Sequence, residues 1–291
     1  MKWMKVPRAR HVMQPGFSGE WRLAMLAALV VLSVLRAYAS VKVYPTEIFV
    51  VPPNHSAPVT VSNQTDSTVE VWVSFTYGYP VSFDTGKVVM YLTDSAAAGE
   101  PSAITWLRAI PQRFTLRAQE SQVVRLFGVP PPGTMTGEYW ARVIVSSKPK
   151  NRPVVVTRGT RVNMELVTQT SLPFHFRTGA VTSGISVKES QAVIDDGFMR
   201  LHLKLQRMGN ASFWGRVSTR LLNSSGKLVQ SREYKLVVYK ELDYTVLDTL
   251  PSVYAGPYTL ELLFDNKHPS LSSQYWTKSE PFLQRLPVTV R

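Results

Sequence analysis

In "RVNMELVTQTSLPFHFR", residues 161 to 177, apolar and polar positions alternate with almost no slippage. Val162, Met164 and Leu166 fall on one side of an extended chain, and Arg161, Asn163 and Glu165 on the other. A period of two over this length predicts a half-buried β-strand. The same texture recurs from residue 57 onward. "APVTVSN" (57–63), "VEVWVSF" (69–75), "VVMYL" (88–92), "RFTLR" (113–117), "SQVVRLF" (121–127) and "EYWARVIVSS" (138–147) are short and rich in β-branched or aromatic residues. Turn chemistry separates them, as in Asn63-Gln64-Thr65-Asp66 and Pro130-Pro131-Pro132-Gly133. "SSKPKNRP" (146–153) reads as a basic, proline-punctuated loop. A second series follows: "ISVKE" (185–189), "MRLHLKLQ" (199–206), "FWGRVSTRLL" (213–222), "KLVQSREYKLVVY" (227–239) and "YTLELLF" (258–264). Short strands with a turn every ten residues or so predict sandwiches, and helix signals are nearly absent. The two series share no clear repeat. The fold class expected is all-β, with two immunoglobulin-like sandwiches. Pro173 cannot donate to a ladder, so its strand should be interrupted there or lie on an edge.

The first 39 residues have a different texture. Six cations, an apolar run from Leu23 to Leu35 and the small-x-small triplet Ala37-Tyr38-Ala39 form a signal peptide cut after Ala39. An uncleaved anchor is the alternative reading, since the leader is long and Arg36 interrupts it. The leader holds six of the 33 Lys and Arg and one of the 20 Asp and Glu, so the net charge of +13 becomes +8 for the remaining 252 residues. That length predicts two domains, at 40–168 and 169–291. Without cysteine the exported chain is held by burial rather than by disulfides, and cysteine-based zinc or thiol chemistry is excluded.

Catalytic signals are weak. Asp84-Thr85-Gly86 resembles an aspartic-protease triplet, but that chemistry needs two carboxylates sharing a proton and the chain carries one such triplet. Between two apolar runs it predicts a hairpin turn. The five histidines (His11, His55, His175, His202 and His268) have no metal-binding spacing, and His202 reads as a solvent-facing or satisfied strand histidine. There is no Gly-x-Ser-x-Gly elbow, phosphate loop or dinucleotide fingerprint. The reading is non-enzymatic, with no metal, cofactor or small-molecule substrate. Cations alternate with apolar residues along strands, as on a solvated sheet face, and the local cluster of Lys148, Lys150, Arg152, Arg158 and Arg161 lacks interleaved aromatics. Nucleic acid is therefore not expected as a partner.

Motif order resembles the PapD-like periplasmic chaperones of pilus assembly over residues 40 to 180. "VYPTEIFVVPPNHSAPVTVSNQTDSTVEVWVSF" is similar to their opening strands, with Asn63 at the turn. "WLRAIPQRFTLRAQESQVVRLF" resembles their Gln-x-x-Arg segment, here Gln122 and Arg125, and "GEYWARVIVSSKP" the strand before the donor strand. The resemblance implies that Val162, Met164, Leu166 and Thr168 are lent to an incomplete subunit. From alternation alone, a strand completing the protein's own sandwich is the reading preferred. The family also clamps its partner's terminal carboxylate with an arginine and a lysine. The matching positions here are Glu47 and Ser171, which cannot do so, leaving Lys42, Arg158 and Arg177 as substitutes. The second domain is longer than the family's and is similar to a generic immunoglobulin- or fibronectin-like module. The expectation is a periplasmic chaperone-like protein whose partners are pilin-like exported subunits and an outer-membrane usher. A structural or adhesive cell-surface protein, held at the membrane by an uncleaved leader, is the alternative.

Overall fold

The computed structural model describes residues 41–83, 86–150, 154–157, 160–163, 166–250 and 256–290. The leader, Asp84, Thr85, Arg158, Met164 and Glu165 lie outside the described residues. The architecture is all-β, with two immunoglobulin-like sandwiches. The first comprises β1 (Val41–Tyr44), β2 (Ile48–Val50), β3 (Ser56–Asn63), β4 (Val69–Ser82), β5 (Val88–Thr93), β6 (Leu107–Ile110), β7 (Arg113–Leu116), β8 (Ser121–Gly128), β9 (Gly137–Pro149), β10 (Val154–Thr157), β11 (Thr160–Asn163) and β12 (Thr168–Thr178). One sheet runs β1-β3-β8-β6. The facing sheet runs β2-β12-β9-β4-β5, with β7 also on β4. Alternation sets which side chains meet between them: Val59, Val61, Val124 and Leu126 from one sheet, and Val71, Val143, Val145, Leu172 and Phe174 from the other.

The second sandwich comprises β13 (Ser183–Asp195), β14 (Phe198–Gly209), β15 (Phe213–Leu222), β16 (Leu228–Val238), β17 (Glu241–Thr249), β18 (Tyr258–Asp265) and β19 (Phe282–Val290). Its strand order is β16-β15-β18-β19-β13-β14-β17, but β13 and β19 share only two residue pairs. That narrow corner lets the two halves face each other over Leu201, Leu203, Leu205, Val217, Leu221, Leu260 and Leu262. β14 shows how the alternation works: Met199, Leu201, Leu203 and Leu205 are buried, while the intervening Arg200, His202, Lys204 and Gln206 are at least partly exposed. His202 Nε2 lies 3.0 Å from Asp243 Oδ1, a partnered strand histidine.

Asn63 holds the turn after β3. Its amide donates to the carbonyls of Ser67 (2.7 Å) and Arg117 (2.8 Å), and its Oδ1 accepts from the Thr65 backbone N–H (3.0 Å). This is an Asx turn folded inward, with Asn63 fully buried. β12 pairs with β9 along its whole length, from Thr168↔Ser147 to Thr178↔Gly137. The chain therefore crosses to the second set of strands at 179–182, ten residues beyond the predicted boundary. Pro173 does not interrupt β12. It sits just before Phe174, where pairing with β2 begins, so the β2-side edge is open at the proline.

Candidate functional site

The side of β9 and β12 that alternation assigns to solvent carries Trp140, Arg142, His175 and Arg177. None of these is exposed. The second sandwich covers them, and Phe49, Tyr77 and Trp140 of the first pack with Trp214, Tyr239 and Leu271 of the second. His175 stacks on Phe49 at 4.4 Å and meets the edge of Trp214 at 5.2 Å. The long β4–β5 hairpin reaches across as well. Ser82 Oγ accepts from the Asp243 backbone N–H at 2.6 Å, and Lys240 reaches Glu100 at 2.5 Å. At its tip Gly86, φ +73°, leaves no room for a Cβ, which would lie 2.7 Å from Thr245 Oγ1.

Glu138 is the polar centre of this interface, with 2% of its surface exposed. Its Oε1 accepts from Trp140 Nε1 (2.9 Å), His175 Nδ1 (3.0 Å) and the Ser212 N–H (3.1 Å), and closely from Ser212 Oγ. Its Oε2 accepts from Arg177 Nε at 2.9 Å, and Arg177 Nη1 donates to the Tyr275 carbonyl at 2.7 Å. Burial alone would raise the Glu138 carboxyl, but His175, Arg177 and Ser212 outweigh it and hold the group well below the usual carboxylate range. Burial lowers His175 and wins over the attraction of Glu138, with Arg177 and Arg142 acting in the same direction as burial. The imidazole is therefore neutral at pH 7. With Nδ1–H donating to Glu138, Nε2 accepts from the Tyr239 hydroxyl at 3.1 Å. The cluster joins two sandwiches rather than presenting a reactive group.

This arrangement makes stability depend on pH. The folded pKa of His175 lies below the ordinary value of about 6.5, so below that pH the unfolded chain takes up a proton that the folded chain refuses. Glu138 acts in the same sense at lower pH, its contribution being lost as pH falls below about 4.5. The melting temperature should fall between pH 7 and pH 5, with a slope from His175 of up to about 1.4 kcal/mol per pH unit. His175→Gln keeps a donor and an acceptor without titrating and should remove that slope. An unchanged slope in the variant would assign it elsewhere.

The predicted site residues are dispersed. Val162 lies on β11 opposite Val155, in a hairpin that pairs only with itself among the described residues. Met164 and Arg158 lie outside the described residues. Leu166 is 51% and Val167 41% exposed, and Thr168 opens β12 opposite Ser147. From Thr168 to Pro173, β12 pairs with β9 on one edge and with nothing described on the other, because β2 joins only at Phe174–Phe176. Leu166 shares the parity of Leu172 and Phe174, which fill the core, yet it projects beyond that core. Glu47 is half-buried just before β2 and acts electrostatically on Tyr239 and His268. Ser171 is exposed on β12. Lys42 is not near the cleft: it lies on the outer face of the opposite sheet. Arg177 is not a free cation, because Glu138 and Tyr275 occupy it.

Alternation did not reveal Arg142. On β9 opposite Pro173 and Thr76, it is 5% exposed, and among the described residues its side chain makes one hydrogen bond, from Nε to the Gly78 carbonyl at 3.3 Å. Burial lowers its pKa and no carboxylate opposes this; only the Tyr239 hydroxyl acts the other way. A guanidinium buried this deeply without an acid is the kind of group that calls for an anion.

No protein-family profile matches the chain, and no curated protein does. Solved structures that resemble it include several chaperones. The YadV chaperone covers 85% of this chain and 100% of its own, at 11% identity and a TM-score of 0.43. The CsuC–CsuE chaperone–tip adhesion subunit complex from archaic Csu pili of Acinetobacter baumannii covers 87% and 100%, at 14% identity and 0.40. The Salmonella enterica SafA pilin–SafB chaperone complex covers 85% and 96%, at 17% and 0.40.

Proposed function

We propose that this chain is an exported, non-enzymatic chaperone of the periplasm that captures pilin-like subunits by strand addition, and that it hands them to an outer-membrane usher. The observation that carries this reading is the open edge of β12 from Thr168 to Pro173, continuous with apolar side chains at Leu166 and Val167 that the protein's own core does not use. An unpaired row of N–H and C=O groups beside exposed apolar residues is a liability unless another strand completes it. The motif order of residues 40 to 180 points the same way.

Arg142 supplies the cleft cation that Glu47 and Ser171 cannot. A partner's terminal carboxylate beside its guanidinium would make charge-assisted hydrogen bonds and compensate a buried charge. Co-expression with a pilin-like subunit and measurement of the complex's dissociation constant tests this. Arg142→Gln should weaken capture by roughly thirtyfold or more. The free protein should melt no lower, since an uncompensated buried charge is removed. Glu47→Ala, which removes an anion from the same cleft, should not weaken capture. Loss of binding in Glu47→Ala with retention in Arg142→Gln would reverse the assignment.

A further inference from the structure

The sheet β1-β3-β8-β6 turns its outer face away from β9 and β12, and that face has an unusual composition. Val41, Val43, Val124, Leu126, Leu107 and Ala109 point inward. The intervening positions place Lys42 and Tyr44 on β1, Val123 and Arg125 on β8, and Arg108 and Ile110 on β6. Register brings them side by side. Tyr44 and Val123 flank Thr60, and Arg125 lies between Pro58 and Ile110. Tyr44 is 70% and Ile110 60% exposed, and Lys42, Arg108 and Arg125 are exposed as well. Among the described residues these three cations have no ion pair or hydrogen bond. No Asp or Glu lies on the four strands; the nearest acids in sequence are Glu120 before β8, Asp66 in the turn after β3, and the half-buried Glu47 three residues past β1.

We infer that this face lies on the surface of an anionic phospholipid bilayer. Three uncompensated cations match a negative headgroup layer, and the flat interleaved Tyr, Ile and Val side chains can enter the interface while the long basic chains keep their charges at headgroup level. A protein partner would instead be met by a groove or pocket that seats an anchor residue, and a pleated outer face offers neither. Because the open edge of β12 belongs to the other sheet, leaflet binding and subunit capture can occur together.

The test is co-sedimentation of the chain from Ser40 onward with vesicles of phosphatidylglycerol and phosphatidylethanolamine, against vesicles of phosphatidylcholine alone. The chain should partition to the anionic vesicles, less so at high salt. Lys42→Gln, Arg108→Gln and Arg125→Gln should each lower partitioning about fivefold, and together about a hundredfold. Tyr44→Ser with Ile110→Ser should weaken it at unchanged charge. All five positions are exposed, so melting temperatures should not move. Lys188→Gln, Lys227→Gln and Lys278→Gln, which remove the same charge from the second sandwich, should leave binding intact. Absence of partitioning, or equal loss in that control, overturns the inference. So does capture of poly-glutamate without vesicle binding, which would make the occupant an acidic polypeptide. Self-association abolished by the triple variant would make it a second copy of the chain.

Discussion

Glu138→Ala should destabilise this protein more than any other single truncation considered. The carboxylate accepts from Trp140, His175, Arg177 and both the N–H and the hydroxyl of Ser212, and alanine leaves every one of these donors buried without an acceptor. The Arg177 guanidinium also loses its counter-charge while remaining buried. Breaking a buried pair from one side costs about 3 to 5 kcal/mol, a large part of a typical stability of about 5 to 15. For a chain of this size that is a fall of about 6 to 20 °C in melting temperature. Glu138→Gln, which keeps one acceptor oxygen in place, should lose less. Because Ser212 and Tyr275 belong to the second sandwich, the loosened protein should also show a larger radius in solution scattering as the halves uncouple. A melt within two or three degrees of the parent would mean that the aromatic contacts alone join the sandwiches.

Leu166→Glu should have the opposite profile. Leu166 is half exposed and lies before the first residue of β12, so a charge there meets water in the free protein. Surface changes of this kind stay within about 0.5 kcal/mol, and the melting temperature should hardly move. In a complex formed by strand addition the same position enters an apolar groove. A carboxylate without a counter-ion there costs several kcal/mol, so capture of a pilin-like subunit should fall by about a hundredfold or more. Were the segment instead completing its own sandwich, the substitution would collapse the fold. A folded variant that captures normally would place the partner surface elsewhere.

Most strands were legible because alternation is a local signal. β14 and β15 stand where the pattern puts them. β17 escaped because Glu241, Asp243 and Asp248 give nine residues the acid content of a loop. β19 contains Pro287, which reads against a strand until β18 is seen to pair along one edge and β13 to touch only its last residues. Pro173 is tolerated in β12 in the same way.

The interface was not legible, for a different physical reason. His175 and Arg177 alternate with Phe174 and Phe176, so period two sends them to water; only a second sandwich, brought there by the fold, removes that water. Their partners Ser212, Tyr239 and Tyr275 lie far away in sequence and share no motif with them. One signal was available. Phe49 and Trp140 occupy the supposed solvent side of their strands, and large aromatics repeated on that side mark a second buried face. The same reasoning would have singled out Arg142, two residues from Trp140 and on the same side.

Amide hydrogen exchange on the free and subunit-bound protein reads whether the open edge of β12 receives a partner strand. In the free protein, the amides of residues 168–172 that do not point toward β9 should exchange rapidly, while those of Phe174–Phe176, flanked by β9 and β2, stay protected. On binding a pilin-like subunit, protection should spread from Phe174 back through Thr168 to Leu166. If residues 166–172 exchange as before, and new protection falls instead on another edge such as β5, strand addition at β12 is contradicted.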